Sequence, residues 1–456
     1  MLSLRALRAA ALAITLGLVP TVAHAESLRE ALASAYRNNP NILTALLSVK
    51  STAENIALAK SGKLPSLAMS GSLGVGSTLS QQDGDWTNSA SQSLGLNYSQ
   101  TLFDNYQTDA EIEQARAGTE VAKYALRNAE ANVLLSVAQS YYQVIRDTQL
   151  VQLRSDNMAF FDAQVTSAND RLRLGEGTKI EVSQAKARQA QAIASYRSAV
   201  ASLQASQASY ERWVGHKPSG LSGDFKFNGL VPASIDAAIE SANARHPALL
   251  SARAGIRAAQ AGSDAAAASF GPTLGLVAGI EASNSWDEAR GRTGSISTSA
   301  RLSLSIPIYA GGALGASMRK ANIEQIKSEV DELAARDEIR EAVISSWSTL
   351  QNATSMIESA QSTVESTRLV VEGTVQERDV GQKTTLDVLD AQAELISAQE
   401  TLIQARATRM IATFALISAA GRLSAEDLRL DVKVHSADGY IASVEDVWAE
   451  LRALDE

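Results

Sequence analysis

The sequence predicts an α+β membrane protein in which very long helices continue from a β-barrel that one chain cannot close by itself. Three observations favour this fold class. The chain repeats itself at an offset of 206 or 207 residues, each repeat holds two tracts in which apolar and polar residues alternate, and each holds a long tract with apolar residues three and four apart. Alternation indicates a strand with two unlike faces, and spacings of three and four indicate a helix.

The first 25 residues are predicted to be a secretory signal peptide. Arg5 and Arg8 form a basic start, residues 9–19 form a short apolar run, and Ala-His-Ala at 23–25 is a small-x-small cleavage site. An uncleaved membrane anchor is the alternative, but the apolar run is shorter than the ~20 residues that a spanning helix needs. The mature chain would then begin at Glu26, outside the cytoplasm.

The composition excludes several classes of exported protein. The chain has no cysteine, which excludes a disulfide scaffold and a lipid-modified N-terminal cysteine. Its formal net charge of −9 becomes −11 once the two arginines of residues 1–25 are removed, and an acidic exported chain is not expected to bind nucleic acid. No run of about 18 apolar residues follows residue 25, so we expect any membrane crossing to use strands closed into a barrel.

A tandem duplication divides the mature chain into two similar halves. Asn39-Pro40 recurs as His246-Pro247, and LGEGTKIEVSQAKARQ at 174–189 recurs as VGQKTTLDVLDAQAEL at 380–395. An offset that is held at so many positions indicates an internal repeat. The predicted parts are the signal peptide (1–25), a first repeat (26–215), a linker (216–233), a second repeat (234–421) and a polar C-terminal tail (422–456).

Each repeat begins with a helical segment and continues with a pair of strands. The helical segments cover about 28–62 and 235–269, and each is bent near its proline. The alternating tracts are each about 10 residues long, which is the length that a tilted strand needs to cross a bilayer. The tracts are seen at 67–75, 94–98, 274–280 and 296–306, joined by polar loops at about 77–91 and 283–294 that contain Trp86 and Trp286.

After each strand pair the sequence predicts a very long helix, a turn and a returning helix. The long helices cover about 104–172 and 311–379, with an apolar stripe typical of a coiled coil, and the returning helices cover about 179–213 and 385–420. No proline interrupts these four tracts. A helix of some 68 residues is roughly 100 Å long at 1.5 Å per residue, so one chain cannot wrap these rods into a compact core.

The number of strands predicts an assembly. Four strands cannot close a barrel, because bacterial barrels have even numbers of strands from 8 upward. Two chains would supply eight strands and three would supply twelve, and an eight-stranded barrel is already filled by its own side chains. A conduit therefore favours three or more copies of the chain.

The second turn segment carries the most specific pattern in the chain. It is V-G-x-x-T-x-x-D-V-L-D-A at 380–391, and it accompanies the duplicated half, the alternating strand pairs, the Asn39-Pro40 break and the paired turn at Leu174-Gly175. In their order and spacing these features resemble the TolC family of outer-membrane channel proteins. The resemblance covers nearly all of the mature chain and, because there is no cysteine to acylate, is to the non-lipoprotein branch.

The resemblance implies a homotrimer in the outer membrane of a Gram-negative bacterium. Twelve strands would form an open barrel among outer-membrane lipids, and twelve helices would continue as a coiled-coil tunnel into the periplasm. A periplasmic adaptor (membrane fusion) protein and an inner-membrane pump, of the resistance-nodulation-division or the ABC type, would dock at the narrow inner end. The implied function is an exit duct for efflux or type I secretion.

Two aspartates in the second turn segment, Asp387 and Asp390, are the candidate constriction. Thr384 and Asp387 fit a helix-capping box, as do Thr178 and Glu181 in the first repeat, so both acids have a structural interpretation. Asp390 lies three residues further on the same helix face, and its counterpart in the first repeat is uncharged Gln184. Capping therefore does not explain it. In a trimer the two aspartates would form stacked carboxylate rings, which favour cations, and the resemblance places them at the periplasmic entrance.

The turns themselves are the second group of candidate site residues. Glycine after a long helix permits a backbone conformation that caps the helix, and the resemblance adds that these tips contact the adaptor. We also expect Glu181 to pair with Arg378 or Lys383 while the tunnel is shut, although some relatives have tyrosine where this chain has Arg378. The candidate contact residues are Arg171, Leu174, Gly175, Arg378, Val380, Gly381 and Thr384.

The sequence predicts neither an enzyme nor a metal or cofactor site. The three histidines of the mature chain, His216, His246 and His435, are far apart in the sequence and form no ligand or triad pattern. The alternative to a duct is a trimeric outer-membrane stalk or adhesin without transport, which would also have long helices and a small barrel. The internal repeat, and acids on only one of the two tips, favour the duct.

Overall fold

The structure is a computed structural model that describes residues 26–79, 84, 86–227, 229–288 and 291–445. The predicted signal peptide and the last residues of the predicted tail, 446–456, lie outside the described residues.

The first repeat consists of four helices and two strands, and its first two helices are separated by one extended residue. Asn39 interrupts the helix at φ −72° and ψ 123°, and its side chain accepts a hydrogen bond of 3.0 Å from the Asn41 N–H. Pro40 then occupies the first helical position, where its missing N–H is not needed. The elements are α1 (Leu28–Asn38), α2 (Pro40–Ser61), β1 (Ser66–Leu79), β2 (Trp86–Phe103), α3 (Gln107–Leu174) and α4 (Lys179–Val214).

The second repeat has the same elements in the same order. His246 takes the place of Asn39, with φ −64° and ψ 123°, and its ring Nδ1 accepts from the Ala248 N–H at 3.2 Å. Pro247 begins the following helix. The elements are α5 (Ile235–Arg245), α6 (Pro247–Ala268), β3 (Thr273–Asp287), β4 (Gly291–Ser305), α7 (Ala313–Asp379) and α8 (Thr385–Ala419), followed by α9 (Asp438–Glu445) in the tail.

The long helices α3 and α7 pack against the returning helices through small side chains. They contain 68 and 67 residues, so each is about 100 Å long. Each buries a row of small residues on its returning helix at intervals of seven, which is the repeat of a coiled coil and lets the backbones approach closely. The rows are Ala185, Ala192, Ala199 and Ser206 in α4, and Ala391, Ala398, Ala405 and Ala412 in α8.

The four strands form one antiparallel sheet in the order β1-β2-β3-β4. The central pair, β2 with β3, joins the two repeats, and within the described residues β1 and β4 are the outer strands. Residues paired across strands share a face. One face carries large apolar side chains such as Leu96 and Ile280, and the other carries mainly serine, threonine and glycine with Glu281 and Arg301.

The strands are longer than the alternating pattern predicts, and the predicted loops at 77–91 and 283–294 are wrong in extent. The strands contain 14 to 18 residues, and Trp86 and Trp286 lie inside β2 and β3 rather than in loops. The reason is that backbone pairing continues where large apolar residues stop. Hydroxyl groups join the strands there, as between Ser285 and Thr293 at 2.9 Å, so composition gives no signal of a strand.

The main core lies where α1, α2 and α3 meet the linker and the tail. Tyr36 donates a hydrogen bond of 2.7 Å to the buried carboxyl of Glu130, and His435 of the tail stacks on the Tyr36 ring. Phe414 of α8 packs against Phe225 and Phe227 of the linker. The tail, predicted to be polar, also buries the apolar residues Leu423, Ala425, Leu428 and Leu430. The linker and tail therefore pack around the middle of α3 and the C-terminal ends of α4 and α8.

Among the described residues, α2 is long and apolar enough to span a membrane by length and composition alone. Its apolar residues are interrupted by polar ones, so the helix was not expected from the sequence to be a candidate span. Its contacts assign it to the helical bundle instead, because Val49, Ala53 and Ile56 are buried and the helix packs along α3. Lys60 also donates to the Glu445 carbonyl at 2.5 Å.

Candidate functional site: the helix tips

The turn that ends each long helix depends on a glycine. Gly175 follows α3 with φ +83°, and Gly381 lies two residues after α7 with φ +81°, a region that other residues rarely adopt. The Gly381 N–H donates to the Arg378 carbonyl at 2.9 Å, and the Glu176 N–H donates to the Arg171 carbonyl at 2.9 Å. The helices are thereby capped, and the chain reverses through four residues after α3 and five after α7.

Both returning helices begin with a complete capping box. In the first repeat the Thr178 hydroxyl accepts from the Glu181 N–H at 3.2 Å, and the Glu181 carboxylate accepts from the Thr178 N–H at 3.4 Å. In the second repeat Asp387 replaces glutamate, and its Oδ2 accepts from both the Thr384 N–H (2.8 Å) and the Thr384 hydroxyl (2.7 Å). Asp387 and Glu181 thus have the structural role that the sequence allows them.

Asp390 has a different partner from Asp387. Its Oδ1 lies 2.6 Å from Nη2 of Arg188, a residue of α4, and the carboxylate is about half exposed. The ion pair joins the returning helix of one repeat to that of the other. Beside it, Leu389 packs with Phe161 and Ala192 in a small buried cluster. Asp390 therefore makes a contact between the repeats, and no local pattern in the sequence indicates that Arg188 is its partner.

Arg378 makes a second contact between the repeats. Its guanidinium is mostly buried, donates to Gln164 Oε1 of α3 at 3.0 Å, and lies 2.8 Å from the carboxylate of its neighbour Asp379. Within one chain Glu181 stays in its capping box. A link from Glu181 to Arg378 or Lys383 remains a prediction for the assembled protein.

The extreme end of the two tips exposes apolar side chains. Leu174 and Val380 are 71% and 72% exposed, and Ile180, at the start of α4, is 69% exposed. The Arg171 carbonyl accepts from the first turn, and Thr384 is part of the capping box that begins α8. Large exposed apolar residues that cluster at one end of a rod are typical of a contact surface.

The charge of Asp387 is stabilised by its cap. Hydrogen bonds from the Thr384 hydroxyl and N–H hold the pKa of the Asp387 carboxyl below its ordinary value, with a smaller contribution from the charge of Lys383. The carboxylate therefore stays ionised at any pH at which an ordinary aspartate would. Elsewhere, the described ranges contain no group of three or more His, Cys, Asp or Glu residues placed to hold a metal ion.

Known proteins of similar sequence are outer-membrane efflux and secretion proteins. The outer membrane efflux protein BepC of Brucella suis is 33% identical over 435 residues, which cover 94% of this chain and 93% of BepC. The outer membrane protein TolC of Vibrio cholerae is 24% identical and covers 91% of this chain and 94% of its own length. The alkaline protease secretion protein AprF of Pseudomonas aeruginosa is 26% identical, with 87% of this chain and 84% of AprF covered.

Solved structures share the fold. The CmeC outer membrane channel of Campylobacter jejuni matches with a TM-score of 0.76 at 14% identity, covering 92% of this chain and 89% of that one. A structure of CusC matches with a TM-score of 0.73 at 20% identity, covering 86% and 92%. The predicted fold class is confirmed: long helices continue from a four-stranded antiparallel sheet, as in these channels.

The family assignment follows from the whole chain. The sequence profile of the family described as "Outer membrane efflux protein" matches residues 31–216 and again 238–422, so it covers both repeats. The resemblance to the TolC family is confirmed, as is the location in the outer membrane with an extension into the periplasm. The chain belongs to the outer membrane efflux protein family and is an export channel protein.

Proposed function

We propose that three copies of this chain form the exit duct of a tripartite export system. Substrates would pass from an inner-membrane pump, through a periplasmic adaptor, into the duct and out of the cell. The observation that carries the proposal is the continuity of one chain from an open sheet to helices of about 100 Å that end in capped, charged tips. Three sheets of four strands supply twelve strands, enough for a conduit.

The two faces of the sheet support this arrangement. The apolar face, with Leu96 and Ile280, suits contact with lipid, and the face of serine, threonine and glycine suits a water-filled lumen. Among the described residues of the four strands, the charged residues on the lumen face are Glu281, Arg301 and Asp287. Asp287 lies at the outer end of β3, so only Glu281 and Arg301 lie along the barrel itself. We infer that ion selection is made at the helix tips rather than in the barrel.

The helix tips are proposed to form the constriction and the docking surface. Asp387 and Asp390 from three chains would form two carboxylate rings that attract cations and repel anions. The exposed Leu174 and Val380, with their turn residues, would contact the adaptor. The pump would be of the resistance-nodulation-division or the ABC type. Efflux and protein secretion both occur among the relatives, since BepC is named for efflux and AprF for protease secretion.

Single-channel recording from the purified protein in a planar bilayer tests the duct directly. We expect a small conductance with a preference for cations, because the tips are narrow and acidic. A folded trimer that never conducts would contradict the duct and favour the stalk or adhesin, in which long helices and a barrel have only a structural role.

The cap of Asp387 gives the selectivity a characteristic dependence on pH. In an Arg188→Gln, Asp390→Asn background, where Asp387 is the one charge left of these three residues, cation preference is expected to persist until the pH falls below the ordinary pKa of aspartate, about 3.9, because the folded pKa is lowered. Thr384→Ala removes the hydroxyl donor, so it should move the loss of selectivity to higher pH. Permeability ratios recorded between about pH 2.5 and pH 6 measure this.

Thr178→Ala is the matched control for this titration. It removes the same cap from the first repeat, where the acid is Glu181, and should leave the titration of Asp387 unchanged. Equal shifts in the two threonine variants would contradict a local effect of the cap on Asp387.

A further inference from the structure

The ion pair between Arg188 and Asp390 places a positive charge at the proposed constriction. Arg188 Nη2 lies 2.6 Å from Asp390 Oδ1, and the two side chains are 34% and 54% exposed. Arg188 also approaches Gln191 Oε1, at 3.5 Å, on its own helix. Its charged partner is Asp390, the aspartate whose presence capping does not explain. Arg188 therefore offsets part of the negative charge that Asp390 presents to ions.

The two repeats show that the fold itself does not need this pair. At the offset of 206 residues, Arg188 corresponds to Glu394 and Asp390 corresponds to Gln184. In a ring in which first and second repeats alternate, each second repeat would also meet the first repeat of the next chain. The equivalent contact there would bring Glu394 of one chain towards Gln184 of the next. One kind of contact between returning helices carries an ion pair, and the other carries an acid and an amide.

The buried packing near the pair does not need the arginine either. Leu389, Phe161 and Ala192 make the apolar contact between the helices, and all three are at most 4% exposed. An exposed ion pair adds little stability, typically less than about 1 kcal/mol. The guanidinium therefore acts mainly through its charge, which lies within 2.6 Å of the Asp390 carboxylate and so next to the proposed path of the ions.

We propose that Arg188 limits the cation selectivity of the duct by acting as the counter-charge of the Asp390 ring. This inference rests on the proposed trimeric constriction. Asp387 and Asp390 contribute two negative charges per chain and Arg188 removes one, so three chains present −3 instead of −6. The arginine thereby sets how strongly the entrance discriminates between cations and anions while leaving both aspartates in place.

The test is the permeability ratio of cations to anions for Arg188→Gln in a planar bilayer at about 0.1 M salt, where the Debye length is about 10 Å. Glutamine keeps a side chain that can still donate to Asp390, but it removes the charge. Since counter-ion enrichment and co-ion exclusion both follow the fixed charge, doubling that charge should raise the ratio about two- to four-fold. Arg188→Lys keeps the charge and should keep the ratio of the unmodified protein.

A charge-balanced variant separates the sum of charges from the contact itself. Arg188→Gln combined with Asp390→Asn leaves one negative charge per chain, as in the unmodified protein, and should restore the original ratio. Gel filtration of each trimer confirms assembly. A ratio that responds to loss of the aspartates but not to Arg188→Gln would overturn this inference alone.

The remaining outcomes also overturn the inference, and they locate the failure elsewhere. If the unmodified trimer does not conduct, the proposed duct is wrong. If it conducts but Asp387→Ala with Asp390→Ala leaves the ratio unchanged, the duct stands and the acidic constriction is wrong.

Discussion

Replacing Asp387 and Asp390 together with alanine is expected to raise the single-channel conductance and to remove the preference for cations. The physical reason is that two carboxylate rings in a narrow entrance hold cations there and exclude anions, so their loss opens the entrance to both. Arg188 keeps its charge in this variant and no longer has its partner at 2.6 Å. We therefore expect the permeability ratio to pass beyond neutrality, towards anions.

The matched control for the alanine variant is Asp387→Asn with Asp390→Asn. Asparagine removes the same charges, but its side-chain oxygen can still accept from the Thr384 N–H, as the third residue of a capping box does. Both double variants should lose selectivity, whereas only the alanine variant should also lower the melting temperature of the trimer. If conductance and ion preference stay at their original values in both variants, the two aspartates have only structural roles, Asp387 in capping and Asp390 in the contact between helices.

Replacing Gly421 with alanine is expected to destabilise the protein strongly. Gly421 has φ +69°, and a Cβ atom there would lie 2.7 Å from the backbone N of His246 and 2.8 Å from its Cα. The overlap is with the backbone at the break between α5 and α6, which cannot rotate away as a side chain could. Conformational strain of about 1–2 kcal/mol and overpacking of about 1–3 kcal/mol together predict a loss of roughly 2–5 kcal/mol.

The internal repeat supplies the control for Gly421. Gly215 is its counterpart and also has positive φ, +96°, but a Cβ atom there would meet nothing within 4 Å. Gly215→Ala should cost only the strain of about 1–2 kcal/mol. The comparison is made by thermal dissociation of the trimer in detergent at one protein concentration. Equal midpoints for the two variants would show that the close approach to His246 does not contribute.

Local patterns in the sequence were sufficient to predict the order of the helices and strands and where the long helices begin and end. The prolines at 40 and 247, the glycines at 175 and 381, and the threonines that cap the returning helices each act within a few residues of themselves, so they predict helix starts and ends closely. The strand ends were mistaken because serine, threonine and glycine pair as well as leucine does once the neighbouring strand is present. That stabilisation comes from another segment of the chain.

The amino-acid sequence by itself determined the duplication, the order of elements, the two faces of the strands and the caps at Thr178 and Thr384. These depend on spacing and on contacts between residues three or four apart. Only the tertiary structure decided which side chains of different helices meet: Arg188 with Asp390, Arg378 with Gln164, and the tail with Tyr36. The partners in these contacts are 202, 214 and 399 residues apart, so no local periodicity can indicate them, and only the packing of distant segments brings them together.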